Sequence, residues 1–88
     1  MSKFELGEKM YYTVSAGEGV FLDMTADSFY GLDEIGTTII DLILQGESTE
    51  YIASRLHSEY ESDFDTLRHV VDEFVSDLTS RGFLKVGD

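Results

Sequence analysis

The apolar residues of this chain change their period at residue 33. Before it, short runs rich in Tyr, Thr, Val and Phe lie between glycines and small polar residues; after it, apolar residues recur every three or four positions. A chain divided in this way builds its first third as sheet and its remainder as helices, an α+β order. Met10–Ser15 (MYYTVS) and Val20–Met24 (VFLDM) are β-favouring runs, and the glycine-flanked turn Ala16-Gly17-Glu18-Gly19 between them makes a hairpin. Thr25-Ala26-Asp27-Ser28 is polar and small enough for a second tight turn, and Ser28–Leu32 (SFYGL) supplies a third strand, completing an antiparallel meander. Gly31 inside that strand weakens it or marks a close backbone approach.

Three helices follow. Asp33 is placed to cap the first, in which Ile35, Ile39, Leu42 and Ile43 share a face and Gly46 is the stop. Ser48 or Thr49 caps the second, with Tyr51, Ile52, Leu56 and Tyr60 as its apolar set. Ser62 or Asp63 caps the third. Its stripe of Phe64, Leu67, Val70, Val71, Phe74, Val75 and Leu78 runs until Arg81-Gly82 closes the helix with a cation and a glycine. The tail Phe83–Val86 is extended and a candidate to pair with the sheet. The expected architecture is α+β and winged-helix-like, a three-stranded antiparallel sheet followed by three helices (βββααα), in a single domain spanning residues 1–88.

Eighteen acidic residues against six basic ones give a net charge of −12. Such a body repels phosphate backbones and anionic head groups and draws in cationic partners, although the plainer reading of the charge is solubility. Lys3, Lys9, Arg55, Arg68, Arg81 and Lys85 are scattered singly, and the segment Glu47–Arg81 holds nine carboxylates against three arginines, so no nucleic-acid partner is expected. Without cysteine there is neither a disulfide nor a thiolate zinc site, and the apolar core, hydrogen bonds or a partner must hold the fold. Met1–Lys9 lacks the apolar core of a signal peptide and the apolar runs are too short to span a bilayer, so the expected location is cytoplasmic with no membrane association.

His57 and His69 are the neutral-pH acid–base candidates. They fall on different helices with no partner ligand at i+4, so neither a catalytic nor a metal site is expected. Asp27-Ser28-Phe29 in a small acidic protein is similar to the modified serine of an acyl carrier. A carrier, however, sets that serine at the start of its second helix, whereas here it enters strand-like sequence. The third helix carries the stronger signal. At about 100° per residue, Leu67, Val71, Phe74 and Leu78 centre the stripe while Val70 and Val75 lie toward opposite margins, so the apolar face is wider than simple core packing needs. Either the helix packs on two neighbours, or a partner lies against one margin.

The stretch FLDMTADSFYGLDEIGTTIIDLILQG, Phe21–Gly46, carries a specific resemblance. A strand ending in Leu-Asp, a polar turn, aromatic-Tyr-Gly-Leu-Asp, then Gly and a double apolar step, resembles the PqqD-like family of peptide-recognition domains, the RiPP recognition elements. Thr49–Tyr60 is similar to the family's second helix, and Glu73–Leu84 to its ending of a long helix, Arg-Gly and an apolar pair. Asp33 stands where many members have Asn and can still cap the helix.

The resemblance implies a non-enzymatic adaptor without cofactor. The leader segment of a ribosomally made precursor peptide would add as a strand to the third strand, at Ser28, Phe29, Tyr30, Gly31 and Leu32. It would lie against Leu67, Val70, Phe74 and Asp77 of the third helix. A stand-alone copy resembles the leader-binding protein of split lasso-peptide systems, whose partners are a leader peptidase and a macrolactam synthetase. It also resembles the peptide chaperone of pyrroloquinoline quinone biosynthesis, which serves a radical enzyme.

Overall fold

The computed structural model describes residues 3–87, so residues 1, 2 and 88 of the expected 1–88 domain lie outside the described residues. The elements in chain order are β1 (Lys3–Leu6), β2 (Met10–Ser15), β3 (Glu18–Asp23), β4 (Ser28–Gly31), α1 (Glu34–Leu44), α2 (Thr49–Glu59), α3 (Phe64–Ser80) and β5 (Leu84–Gly87). The change of period at residue 33 is the boundary between β4 and α1. β2, β3 and β4 form the antiparallel meander read from the sequence.

Local chemistry accounts for the turns and caps. Ala16 and Gly17 both have positive φ (53° and 81°), as a two-residue primed turn requires, and this sets Ser15 opposite Glu18 and starts β3 two residues before the expected Val20. An Asp23 carboxylate oxygen accepts from the N–H groups of Thr25 and Ala26, both at 3.0 Å, and closes the turn into β4. Asp33 accepts from the Gly36 N–H at 2.7 Å, Ser48 from Tyr51 at 3.1 Å, and Asp63 from Thr66 at 3.3 Å. Each cap contributes about 1 kcal/mol.

The inner face of the meander carries one aromatic row, Tyr12, Phe21 and Tyr30, which are paired across the three strands. Phe83 extends the row, lying 5.2 Å from both Phe21 and Tyr30. Phe21 is fully buried among Ile39, Ile40 and Ile43 of α1, Ile52 and Leu56 of α2, and Val71, Val75 and Leu78 of α3. Removing such a side chain from water is worth about 1.5–3 kcal/mol. Two polar contacts fix α1 to the sheet. The buried Thr37 hydroxyl accepts from the Gly19 N–H (2.7 Å) and donates to the Asp33 carbonyl (2.8 Å). The Tyr12 hydroxyl donates to Asp41 at 2.9 Å. Burial, reinforced by that hydrogen bond and by the carboxylate's charge, holds the Tyr12 phenol well above its ordinary pKa.

The structure departs from the sequence reading in three places. The tail does not join the meander: β5 pairs with β1 in a separate two-stranded antiparallel sheet, with Phe4 opposite Val86 and Leu6 opposite Leu84. Ile35 is exposed, because Gly36 and Thr37 turn inward against Phe74 and Gly19, and Ile40 joins the buried face instead. Tyr51 is exposed as well, and Ala53 takes its place in the core. The two margins of the α3 stripe are unequal, Val75 being 2% exposed and Val70 44%.

Candidate functional site

Among the described residues β4 pairs only with β3, so its second edge carries unpaired backbone groups. The alternation of the ladder shows which ones. The Leu32 N–H donates to the Gly19 carbonyl at 2.8 Å, so residues 28, 30 and 32 turn their backbone groups toward β3. Phe29 and Gly31 therefore present their N–H and C=O to the open edge.

Beside this edge stands one ridge of α3. Leu67, Val70, Phe74, Asp77 and Arg81 follow one another at steps of three or four and so share a face. The ridge meets the β4–α1 corner at two points. At one, the tip of the Phe74 ring comes so near Gly36 that a Cβ there would lie 3.1 Å from it and 3.5 Å from Leu32 Cβ. At the other, the Arg81 guanidinium lies 5.7 Å from the centroid of the Tyr30 ring, with its Nε 3.1 Å from an Asp77 carboxylate oxygen. We call the strip between this ridge and the unpaired edge the groove: it is apolar at Phe74, with Val70 one turn beyond, and ends at the paired Asp77 carboxylate and Arg81 guanidinium.

The expected site residues thus divide. Tyr30 and Asp77 both meet Arg81, Phe74 reaches the β4–α1 corner, and Val70 is exposed one turn beyond it on the same ridge. Leu32 and Leu67 are buried and support the groove from the core. Ser28 opens the strand, exposed, at a strand start instead of the helix start that a carrier serine needs, so the fold overturns the acyl-carrier reading. Phe29 and Gly31 face the other side of the sheet. There Tyr11, Leu22 and Phe29 form one cross-strand row, with Tyr11 61% and Phe29 74% exposed and Met24, 68% exposed, nearby. Arg81, expected from the sequence as the cation ending α3, also stands four residues after Asp77 and so on the same ridge.

The remaining candidates do not converge on this edge. His57 packs edge-on against Phe64, and His69 pairs with Glu73 at 2.7 Å on the exposed side of α3. Among the described residues no three His, Cys, Asp or Glu side chains gather as a metal-holding group. No helix among them is long and apolar enough to cross a membrane. An open concavity of about 490 Å³ lined in part by Phe4, Val75, Thr79 and Val86 adjoins the Val75 margin of α3. An extended peptide adding as a strand requires an open edge, which β4 has, and not an enclosed volume.

The sequence profile of a family described as coenzyme PQQ synthesis protein D (PqqD) matches residues 18–84. Two solved structures share the fold. One, described as TbiB1 in complex with the TbiA(beta) leader peptide, superposes with a TM-score of 0.81 at 24% identity, covering 91% of this chain and 93% of that one. The other, described as lasso peptide synthetase B1 complexed with the leader peptide, gives a TM-score of 0.87 at 23% identity over 93% and 96% of the two chains. No curated protein matches the chain.

Proposed function

The chain belongs to the PqqD family, and from that premise we propose that it is a non-catalytic adaptor binding the leader segment of a ribosomally made precursor peptide. The observation that carries this reading is the open edge of β4, with the backbone groups of Phe29 and Gly31 unpaired, set beside the Val70–Phe74–Asp77–Arg81 ridge of α3. An added strand gains affinity from the backbone pairing and selectivity from side chains that alternate between the groove and the outer face. The two solved structures compared above are described as leader-peptide complexes, which supports the same ligand here.

The adaptor, acting as one domain over residues 1–88, hands the precursor to a leader peptidase and a macrolactam synthetase, as in lasso-peptide biosynthesis. The outer row of exposed Tyr11 and Phe29 with half-buried Leu22 between them, continuous with the leader-binding edge, supports such docking, since exposed apolar patches mark interaction surfaces. A second reading, a peptide chaperone in pyrroloquinoline quinone synthesis, is favoured by the description of the family itself. In both readings the adaptor has no cofactor of its own and works in the cytoplasm.

Fluorescence anisotropy with the leader segment of the precursor encoded beside this protein's gene tests the proposal. Binding tighter than about 100 μM, roughly −5.5 kcal/mol, is expected, with a scrambled leader binding far more weakly. Equal binding of the two peptides would reduce the interaction to charge.

A further inference from the structure

Gly31 is the one glycine of the eight for which the fold supplies no reason. Gly17, Gly46 and Gly82 have φ of 81°, 95° and 86°, where an L side chain is strained. A Cβ at Gly7, Gly19, Gly36 or Gly87 would meet the Gly82 carbonyl, the Tyr12 ring, Phe74 or Glu5. Gly31 differs on both counts. Its backbone is ordinary strand, it is exposed, and a Cβ there would find nothing within 4 Å. Glycine inside a strand is destabilising by roughly 0.5–1 kcal/mol relative to alanine, a cost that nothing in the described chain offsets.

What the missing side chain leaves open follows from the register. Gly31 lies opposite Val20, shares the outer face with Phe29, and turns its N–H and C=O to the unpaired edge. No atom lies within 4 Å of where a Cβ at position 31 would stand, and Phe29, 74% exposed, is two residues away on the same face.

Resting on the leader-binding reading above, we infer that Gly31 is the floor of a side-chain subsite for a large apolar leader residue. The leader residue directly across from Gly31 points to the same face of the sheet. Its side chain lies over the glycine, against the Phe29 ring and the Val20 methyls, as aromatic residues do when they cover an edge glycine in a β-sheet. The residues on either side of it turn into the groove toward Tyr30 and Arg81. Gly31, Val20 and Phe29 offer no charged or hydrogen-bonding side chain, so a charged leader residue would be desolvated there without a partner.

The test compares wild type with Gly31→Ala and Gly31→Val by thermal melting and by anisotropy titration. The probe is the fluorescein-labelled leader segment of the precursor encoded beside this protein's gene, together with versions carrying alanine at each position in turn. Both variants should melt at or above the wild-type temperature, with leader binding weakened about threefold by Gly31→Ala and about tenfold or more by Gly31→Val. One apolar leader position, whose alanine version binds wild type about tenfold more weakly, should show less than about a threefold further loss with Gly31→Val. Wild-type affinity in a folded Gly31→Val overturns the subsite and leaves leader binding standing. A loss that no leader position relieves also overturns it, because the added methyls would then be obstructing the backbone. If both variants unfold, the fold itself demands the glycine and the subsite is equally overturned. A wild type that does not bind the leader overturns the reading beneath.

Discussion

Arg81 covers the Tyr30 ring: its guanidinium carbon lies 5.7 Å from the ring centroid while Asp77, one turn back, holds its Nε at 3.1 Å. One side chain thereby ties the end of α3 to the middle of β4. Both interactions are partly exposed, and each contributes about 1 kcal/mol or less. Arg81→Ala should lower the urea-derived unfolding free energy by about 1 kcal/mol, and Arg81→Lys should restore little of it, because a compact ammonium does not cover a ring as a planar guanidinium does. A loss above about 3 kcal/mol would place Arg81 in the core and contradict its role at the groove.

Val70 and Val71 separate binding from folding. Val70 lies exposed on the groove ridge, whereas Val71 is fully buried. Val70→Asp should fold and lose about 2–3 kcal/mol of leader binding, because a charge then sits where an apolar leader side chain must be desolvated. Val71→Asp should unfold the protein, since an unpaired buried carboxylate exceeds the reserve of a domain about 5–15 kcal/mol stable. Circular-dichroism melts and leader titrations on the two variants decide it. If Val70→Asp melts like Val71→Asp, the whole stripe is core. Val75 offers no alternative binding margin, because at 2% exposure Val75→Asp should unfold the protein too.

Charge acts on encounter more than on the final complex. A net charge of −12 should steer a leader bearing Lys or Arg. The exposed pairs already present on the helices, such as Arg55–Glu59 at 3.7 Å, are individually weak. Raising salt from about 50 to 500 mM should slow stopped-flow association several-fold and leave dissociation nearly unchanged. An association rate indifferent to salt would show that steering is absent.

Tyr12 gives the fold an alkaline limit. Its phenol titrates higher in the folded chain than its ordinary value of 10.0, first through burial and then through Asp41. The unfolded chain therefore loses this proton first as pH rises. The stabilisation is whole below about pH 10 and declines above it, as ionisation increasingly favours the unfolded state. Tyr12→Phe should be less stable at pH 7 by about 1 kcal/mol, having lost the hydrogen bond to Asp41. Its stability should fall less steeply than wild type between about pH 10 and 11.5. Parallel alkaline curves for the two proteins would remove Tyr12 from the account.

The sequence made some features legible because their causes are local. Asp33, Ser48 and Asp63 cap their helices through carboxylate or hydroxyl groups within three residues of their partners, and Gly82 ends α3 by its own backbone conformation. β1 was not legible: four residues of mixed polarity form a strand only because Leu84–Gly87, at the far end of the chain, pairs with them. Periodicity also could not show that Gly36 and Thr37 would displace Ile35 from the buried face, since that depends on Phe74 and Gly19 arriving from other elements. The candidate site was visible as a strand and an over-wide helical stripe. The alternation that separates Phe29 and Gly31 from Tyr30 needed one hydrogen bond, Leu32 to Gly19, that only the fold supplies.

That alternation gives the most direct test of strand addition at β4. On the other outer edge of the sheet, the Met24 N–H donates to the Lys9 carbonyl at 2.9 Å, so Tyr12 and Val14 of β2 turn their amides outward as Phe29 and Gly31 do on β4. Amide hydrogen exchange followed by NMR on ¹⁵N-labelled protein, with and without saturating leader peptide, distinguishes the two edges. The Phe29 and Gly31 amides should slow by about tenfold or more when the leader binds, while those of Tyr12 and Val14 keep their rates. Protection of Tyr12 and Val14 with Phe29 and Gly31 unchanged, or a bound leader that protects neither pair, would contradict it.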